Sequence, residues 1–474
     1  MLFYRPDDGV AADFIPFYWQ GDYHLFYLKD YRDPAGHGEG TPWFHLVSRD
    51  FVSFEELGEA LERGAPGTQD QWVFTGSVIE REGRFFIFYT GHNGHFAELG
   101  KPIQAVMRAT SPDMISWTKD AGFMFYAPTA AGYEPDDWRD PYVFWNPEAR
   151  AYWMLLAARK TQGPSRNRGL TALATSPDLE DWQVSDPFWA PDIYYTHECP
   201  DLFRMGEWWY LVYSTFSERS VTHYRMSRSL AGPWLAHAND TFDGRAYYAA
   251  KTAGDGQRRY VFGWLPTRSG EKDDGDWNWG GNLVVHEIVQ SADGTLAVRP
   301  PDSLVGGFTD VLELHPRPLL GNWSWDGACF HSSAIGRHAA LLAGELPSTC
   351  MIEATLKPAP GTHQAGLILR ADPELSSYYT VRLEPGNHRL VVDRWPRPGD
   401  QPFMLERPLL WKPGADIRLR VLVDETCMVI YANDQIALSC RLYEHRSGSL
   451  GLFVTEGEAA FENVHIRTQA PGAG

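Results

Sequence analysis

The sequence predicts an all-β chain: a five-bladed β-propeller followed by a C-terminal β-sandwich. Three observations carry this reading. One turn phrase recurs through the first half of the chain. Hairpin signals fill the intervals between its copies. Near Leu314 the pattern stops and a new series of alternating strands begins.

The phrase is Ser48-Arg49-Asp50-Phe51-Val52-Ser53-Phe54, then Ser111-Pro112-Asp113-Met114-Ile115-Ser116-Trp117, then Ser176-Pro177-Asp178-Leu179-Glu180-Asp181-Trp182. A degenerate copy runs from Ser227 to Trp234. Each Ser-x-Asp reads as a turn after a strand, because short polar side chains bond the backbone just ahead of them. The aromatic then closes onto the sheet. Strands are expected before the copies at Tyr23–Leu28, Phe85–Thr90, Tyr152–Ala157 and Trp208–Ser214, behind turns such as Gln20-Gly21-Asp22 and Arg81-Glu82-Gly83. A looser fifth unit has strands at Ala246–Thr252, Arg259–Leu265, Leu283–Gln290 and Leu296–Arg299. Five such units predict blades over residues 1–305. Residues 306–321 read as a linker. Residues 322–469 read as the sandwich, with strands at Cys350–Leu356, Ala365–Ala371, Tyr378–Leu383, Ile417–Val423, Met428–Ala432, Gly448–Val454 and Val464–Arg467. Trp395 and Trp411 are its candidate glycan contacts, and it is the expected face for a homo-oligomer.

Composition narrows the function classes. The chain has 474 residues, 43% hydrophobic and 22% charged, the profile of an ordinary globular protein. Its formal charge of −19 argues against nucleic acid, whose phosphates need a basic surface, and against an anionic membrane. Aromatics reach 14%, which suits stacking on sugar rings, although β-sheets favour aromatics in any case. No apolar run is long enough for a membrane helix, and Met1–Asp8 lack the basic-then-apolar pattern of a signal peptide. Five cysteines without metal-ligand spacing read as the reduced thiols of a cytoplasmic protein. His24, His92, His95 and His197 are scattered, and no phosphate-binding loop is present, so neither metal nor cofactor is expected.

Three carboxylates stand at the mouths of short aromatic runs: Asp13, Asp140 and Glu198. Taken singly, each reads as a turn or cap residue. Taken together, on matching positions of separate blades, they predict one site at an end of the channel. A pair of carboxylates in an aromatic pocket is the minimum for glycoside hydrolysis, one protonated and one ionised. Glu198 is the candidate acid, with the longer arm and weakly polar neighbours Tyr194, Tyr195 and Cys199. Asp13 is the candidate nucleophile or base. Arg139 precedes Asp140 and is placed to hold a carboxylate ionised. Asp201 reads as a backbone or arginine partner. Asp136-Asp137 and Asp273-Asp274 read as solvated loops.

The order Asp13-x-x-Pro16-Phe17-Tyr18, Phe74-Thr75-Gly76-Ser77, Trp138-Arg139-Asp140-Pro141, Glu198-Cys199-Pro200-Asp201, Phe262-Gly263-Trp264 and Gly280-Gly281-Asn282-Leu283-Val284 resembles glycoside hydrolase family 32, the invertase, inulinase and levanase group. The resemblance spans the chain. It implies a five-bladed propeller joined to a sandwich, and retaining cleavage of β-D-fructofuranosides in sucrose, fructo-oligosaccharides or fructans. It implies Asp13 as nucleophile, Glu198 as acid/base and Asp140 as the residue that binds ring hydroxyls. Arg139, Phe74, Ser77, Trp72, Cys199, Trp264 and Trp279 become candidates for the sugar pocket. The first motif departs from the family: Ala12 replaces an asparagine and Phe14-Ile15-Pro16 replaces Pro-Asn-Gly. The amides that hold terminal fructose are therefore absent from it. An arabinofuranoside substrate, fructosyl transfer, or sugar binding without catalysis stay open at this point.

Overall fold

The computed structural model describes residues 2–412 and 414–470. The chain divides into two compact units. The first holds Tyr4–Pro266 and Trp279–Leu296 and contains the blades. The second holds Thr267–Asn278 and the chain from Ala297 onward and contains the sandwich.

Blade one comprises Val10–Trp19, Asp22–Asp30, Trp43–Ser48 and Glu55–Leu61. Blade two comprises Trp72–Arg81, Arg84–His92, Gln104–Ser111 and Thr118–Phe125. Blade three comprises Tyr133–Asn146, Ala151–Lys160, Gly169–Ser176 and Gln183–Val184. Blade four has Glu198–Met205, Trp208–Thr215 and Val221–Ser227, with a bridge from Met226 to Leu235 at its edge. Blade five begins with Tyr248–Gly254, Arg259–Arg268 and Trp277–Gln290. Ala11 pairs with Gly281, which joins blade five to blade one.

The recurring phrase works as a staple between blades. In each full copy the Asp Oδ1 lies close to the Ser Oγ and accepts two backbone N–H groups, for example those of Ile115 and Ser116 at 2.9 and 2.8 Å on Asp113. The next residue, Phe51, Met114 or Leu179, takes a left-handed φ of 61°, 62° or 73°. That conformation costs a side-chain-bearing residue about 1–2 kcal/mol. All three side chains are buried, which returns about 1.5–3 kcal/mol each. The closing aromatic crosses to other elements. Trp117 of blade two packs on Phe26 of blade one at 5.9 Å, and Trp182 of blade three on Phe88 of blade two at 5.5 Å.

The innermost strands share a second device. Each carries a register shift near its start, after Ala12, Phe74, Arg139, Glu198 and Tyr248. Such bulges bend a strand and re-aim its side chains. Asp13, Asp140, Cys199 and Ala249 sit in them at φ 45°, 58°, 51° and 50°.

In the second unit a 13-stranded sheet wraps around a core that includes Leu341, Leu367, Val381, Leu419, Ile430 and Leu452. Strands at Cys329–Glu345, Arg389–Trp395 and Ile436–Arg441 add to those expected. The last two expected strands are one continuous strand, Ser449–Thr468. Segment 306–321 carries short strands, Asp310–Val311 and Arg317–Leu320, that pair with the sandwich strands Ser449–Thr468 and Cys329–Glu345. Asp273 is not a solvated loop residue. Its side chain is fully buried and accepts from Tyr379 at 2.6 Å, Arg394 at 3.1 Å and the Tyr443 N–H at 2.8 Å. Trp395 is half exposed, and the Trp411 indole donates to Ala415.

Candidate active site

Arg139 holds Glu198 and Asp140 together, and Asp13 lies close enough to feel the charge of both. Arg139 precedes the blade-three bulge and is nearly buried. Its guanidinium donates to Glu198 Oε1 at 3.0 Å, to Asp137 at 2.6 Å and to Thr196 at 3.1 Å, and its Nε lies 3.8 Å from Asp140 Oδ2. Asp137 is thus an ion-pair partner rather than a solvated loop residue, and it also meets Arg159 at 3.4 Å. Burial works against the charge of Arg139, yet Glu198, Asp140 and Asp137 hold its pKa above the ordinary arginine value.

The carboxylates differ in local position. Asp13 and Asp140 occupy bulges, whereas Glu198 stands one residue before its own. The peers of Glu198 are Arg139 and Tyr248, and Cys199 is the peer of Asp140. The three acids are therefore not equivalent blade positions, contrary to the reading from sequence. Two reach the site from bulges and one from the residue ahead of a bulge.

Their electrostatics differ too. Asp13 is half-buried and accepts from the Trp264 indole at 3.2 Å. Burial, then the charge of Asp140, push its carboxyl up to about 7, while Lys251 pulls the other way. Glu198 accepts from Arg139 and from the Tyr248 hydroxyl. Burial raises its pKa, Arg139 opposes the rise and Asp140 adds to it. Asp140 is buried, its Oδ2 accepts from the Cys199 N–H at 2.9 Å, and its own N–H donates to Thr90 at 2.7 Å. Burial raises the Cys199 thiol far above its ordinary value, so it stays neutral, and its contribution to the cluster is its peptide N–H. His197 is fully buried and pushed down to about 3, chiefly by burial, so it stays uncharged and serves no acid–base role.

Aromatic groups flank this cluster. Trp264 lies 6.0 Å from Tyr248 and 6.3 Å from Trp279, which is 37% exposed. Gln104 links Arg139 to His92, with its Oε1 accepting from Arg139 at 3.5 Å and its amide 3.4 Å from the His92 ring. Phe74 stacks on that ring at 4.5 Å, and Trp72 meets it edge-on at 5.9 Å. Ser77 is placed differently. Its buried Oγ accepts the Val143 N–H at 2.9 Å, tying blade two to blade three. Asp201 is fully buried and accepts from the Thr252 N–H at 2.5 Å.

Sequence reasoning missed Tyr248 and Lys251. The signal was there: Tyr248-Ala249-Ala250-Lys251 opens the fifth unit in the register of Glu198-Cys199-Pro200-Asp201.

This arrangement can donate a proton from one buried carboxyl, attack with a second and hold hydroxyls with a third. Comparison with known proteins gives the chain's family. The model of the glycosyl hydrolases family 32 N-terminal domain matches residues 7–300, and that of the family 32 C-terminal domain matches residues 332–468. Raffinose invertase of Escherichia coli is 29% identical over 475 residues, covering 93% of this chain and 89% of that protein. Sucrose-6-phosphate hydrolase of Escherichia coli is 24% identical over 481 residues, covering 97% and 92%. The crystal structure of exo-inulinase from Aspergillus awamori has the same fold, with a TM-score of 0.73 at 17% identity over 99% of this chain and 97% of that one. With family models matching residues 7–300 and 332–468, the chain belongs to glycoside hydrolase family 32 and is a glycosidase.

Proposed function

We propose that this glycosidase releases terminal β-D-fructofuranosyl units from sucrose, fructo-oligosaccharides or fructans, with retention of configuration. The observation that carries the reading is the pairing of Asp140 and Glu198 with one buried guanidinium, with Asp13 within range of the charge of both. Relatives named raffinose invertase and sucrose-6-phosphate hydrolase support the sugar class.

In the first step Asp13 attacks the anomeric carbon, the glycosidic bond breaks, and Glu198 gives its proton to the departing oxygen. In the second, Glu198 takes a proton from water. That water attacks the anomeric carbon, and the bond to Asp13 breaks. Burial keeps a proton available for Glu198, while Arg139 stabilises the negative charge the site must carry. Asp140, anchored by the Cys199 peptide, accepts the ring hydroxyls.

The experiment is fructose release from sucrose, raffinose, inulin and levan, with the anomeric form of fresh product followed by NMR. Retained β-fructose is expected. Arabinofuranosyl aryl glycosides and product analysis at high sugar test the competing substrate and the transfer reaction. Binding without release on every substrate would overturn the proposal. A cytoplasmic location is part of it, in keeping with an odd count of five cysteines spread along a long chain. So is a homo-oligomer through the sandwich, where Trp325 and Ile335 are exposed, and sedimentation measures that directly.

A further inference from the structure

Behind the carboxylates the propeller channel opens into a cavity of about 690 Å³. Its upper wall is made by residues just past the bulges: Ile15, Gly76, Tyr142 and Lys251. Lys251 is 2% exposed and has no ion-pair partner within 4.0 Å among the described residues. Its ammonium donates to the backbone carbonyl of Gly76.

That hydrogen bond fixes the path of the side chain. Lys251 starts on the innermost strand of blade five, and Gly76 lies on the innermost strand of blade two. Blade one stands between them in the ring. The lysine therefore spans the channel past blade one, and it lines the same cavity as Ile15, two residues beyond Asp13. A buried ammonium satisfied by one carbonyl costs several kcal/mol unless opposite charge faces it. Here Arg139 already pairs with Glu198, Asp140 and Asp137, and Asp13 adds a further carboxylate beside them, so the cluster is short of positive charge.

We propose that Lys251 is a positioning residue that braces Asp13 from the channel side and keeps its carboxylate charged for attack. The inference rests on the nucleophilic role given to Asp13 above. The direction in which Lys251 moves the Asp13 carboxyl agrees with it. The plain alternative is a strut: Lys251 only ties blade five to blade two through Gly76.

Two variants separate charge from strut. Lys251→Met removes both the charge and the hydrogen bond, whereas Lys251→Gln keeps a donor for Gly76 and removes the charge. The acid limb of the kcat/KM–pH profile on a fructoside is expected to move up by about one pH unit in both variants. A Lys251→Gln limb that coincides with the wild type would overturn the proposal, and it decides the matter even if Lys251→Met fails to fold. A second readout needs no turnover. In urea unfolding at pH 8, removing the lysine charge should cost more stability with Asp13 present than in an Asp13→Asn background. Additive effects in that cycle overturn the charge pairing. A wild type that cleaves no fructoside would refute the assigned function while leaving the unfolding cycle to test the pair.

Discussion

The peptide N–H of Cys199 donates to Asp140 Oδ2 at 2.9 Å, so the residue beside the proton donor of blade four anchors the carboxylate of blade three. Glu198 and the residue that anchors Asp140 are thereby consecutive on one strand. A shift of that strand would move both groups together. Cys199 takes a left-handed φ of 51° at this point.

This makes the Cys199 side chain dispensable and its backbone essential. Cys199→Ala is expected to keep kcat/KM within about tenfold and to lose about 1 kcal/mol of stability for the vacated volume. Asp140→Asn should lower kcat/KM by about 100-fold or more, because charge opposite the ring hydroxyls is lost. Steady-state kinetics on sucrose measure both. Equal losses in the two variants would place the thiol in the chemistry.

Glu198→Gln removes the transferable proton while keeping the shape of the site. Turnover of sucrose should fall by about 100- to 10,000-fold. The loss in kcat/KM, which reports the first step, should be much smaller on an aryl fructoside, whose leaving group departs without protonation. An equal loss on both substrates would contradict the acid role.

The Tyr248 hydroxyl donates to Glu198 Oε2, which favours the ionised form of that acid. Tyr248→Phe removes the stabilisation, so Glu198 should hold its proton to higher pH. The basic limb of the kcat/KM profile is expected to move up, with a modest change in the plateau. A downward shift would mean that the hydroxyl instead favours the protonated acid.

Ser77 separates a structural reading from a sugar-binding one. Its Oγ is occupied by the Val143 N–H, so Ser77→Ala leaves a buried donor without a partner. The expected cost is about 1–3 kcal/mol in urea unfolding, with KM for sucrose almost unchanged. A raised KM at full stability would put the hydroxyl on the substrate.

Sequence periodicity made the blades legible because the first three repeat a polar turn and a buried hydrophobe within seven residues. Phe51, Met114 and Leu179 occupy the same place in that phrase and the same left-handed conformation. The bulges were not legible. A bulge is a mismatch between two strands, and neither strand alone records it. That is why Glu198 looked equivalent to Asp140, and why Tyr248 passed as one more strand aromatic. Asp273 misled for another reason: a charged pair in a glycine-rich loop usually faces water, but here Tyr379, Arg394 and the Tyr443 N–H are assembled around it from distant strands. Segment 306–321 read as a linker because its strands are too short to show alternation.

Asp13 should make the protein's stability depend on pH in an unusual direction. Its carboxyl is raised to about 7 in the folded state, against an ordinary value near 4 in the unfolded chain. Between those values the folded state binds more protons than the unfolded one, so this group lowers stability as pH rises and the loss is complete above about 7. Asp13→Asn removes the penalty. The variant should be inactive yet melt higher than the wild type at pH 8, and the gap should close as the pH falls toward 4. Thermal melts at several pH values measure it. A gap that widens on acidification would mean that Asp13 is stabilised as the anion in the resting site, with Lys251 outweighing burial and the charge of Asp140.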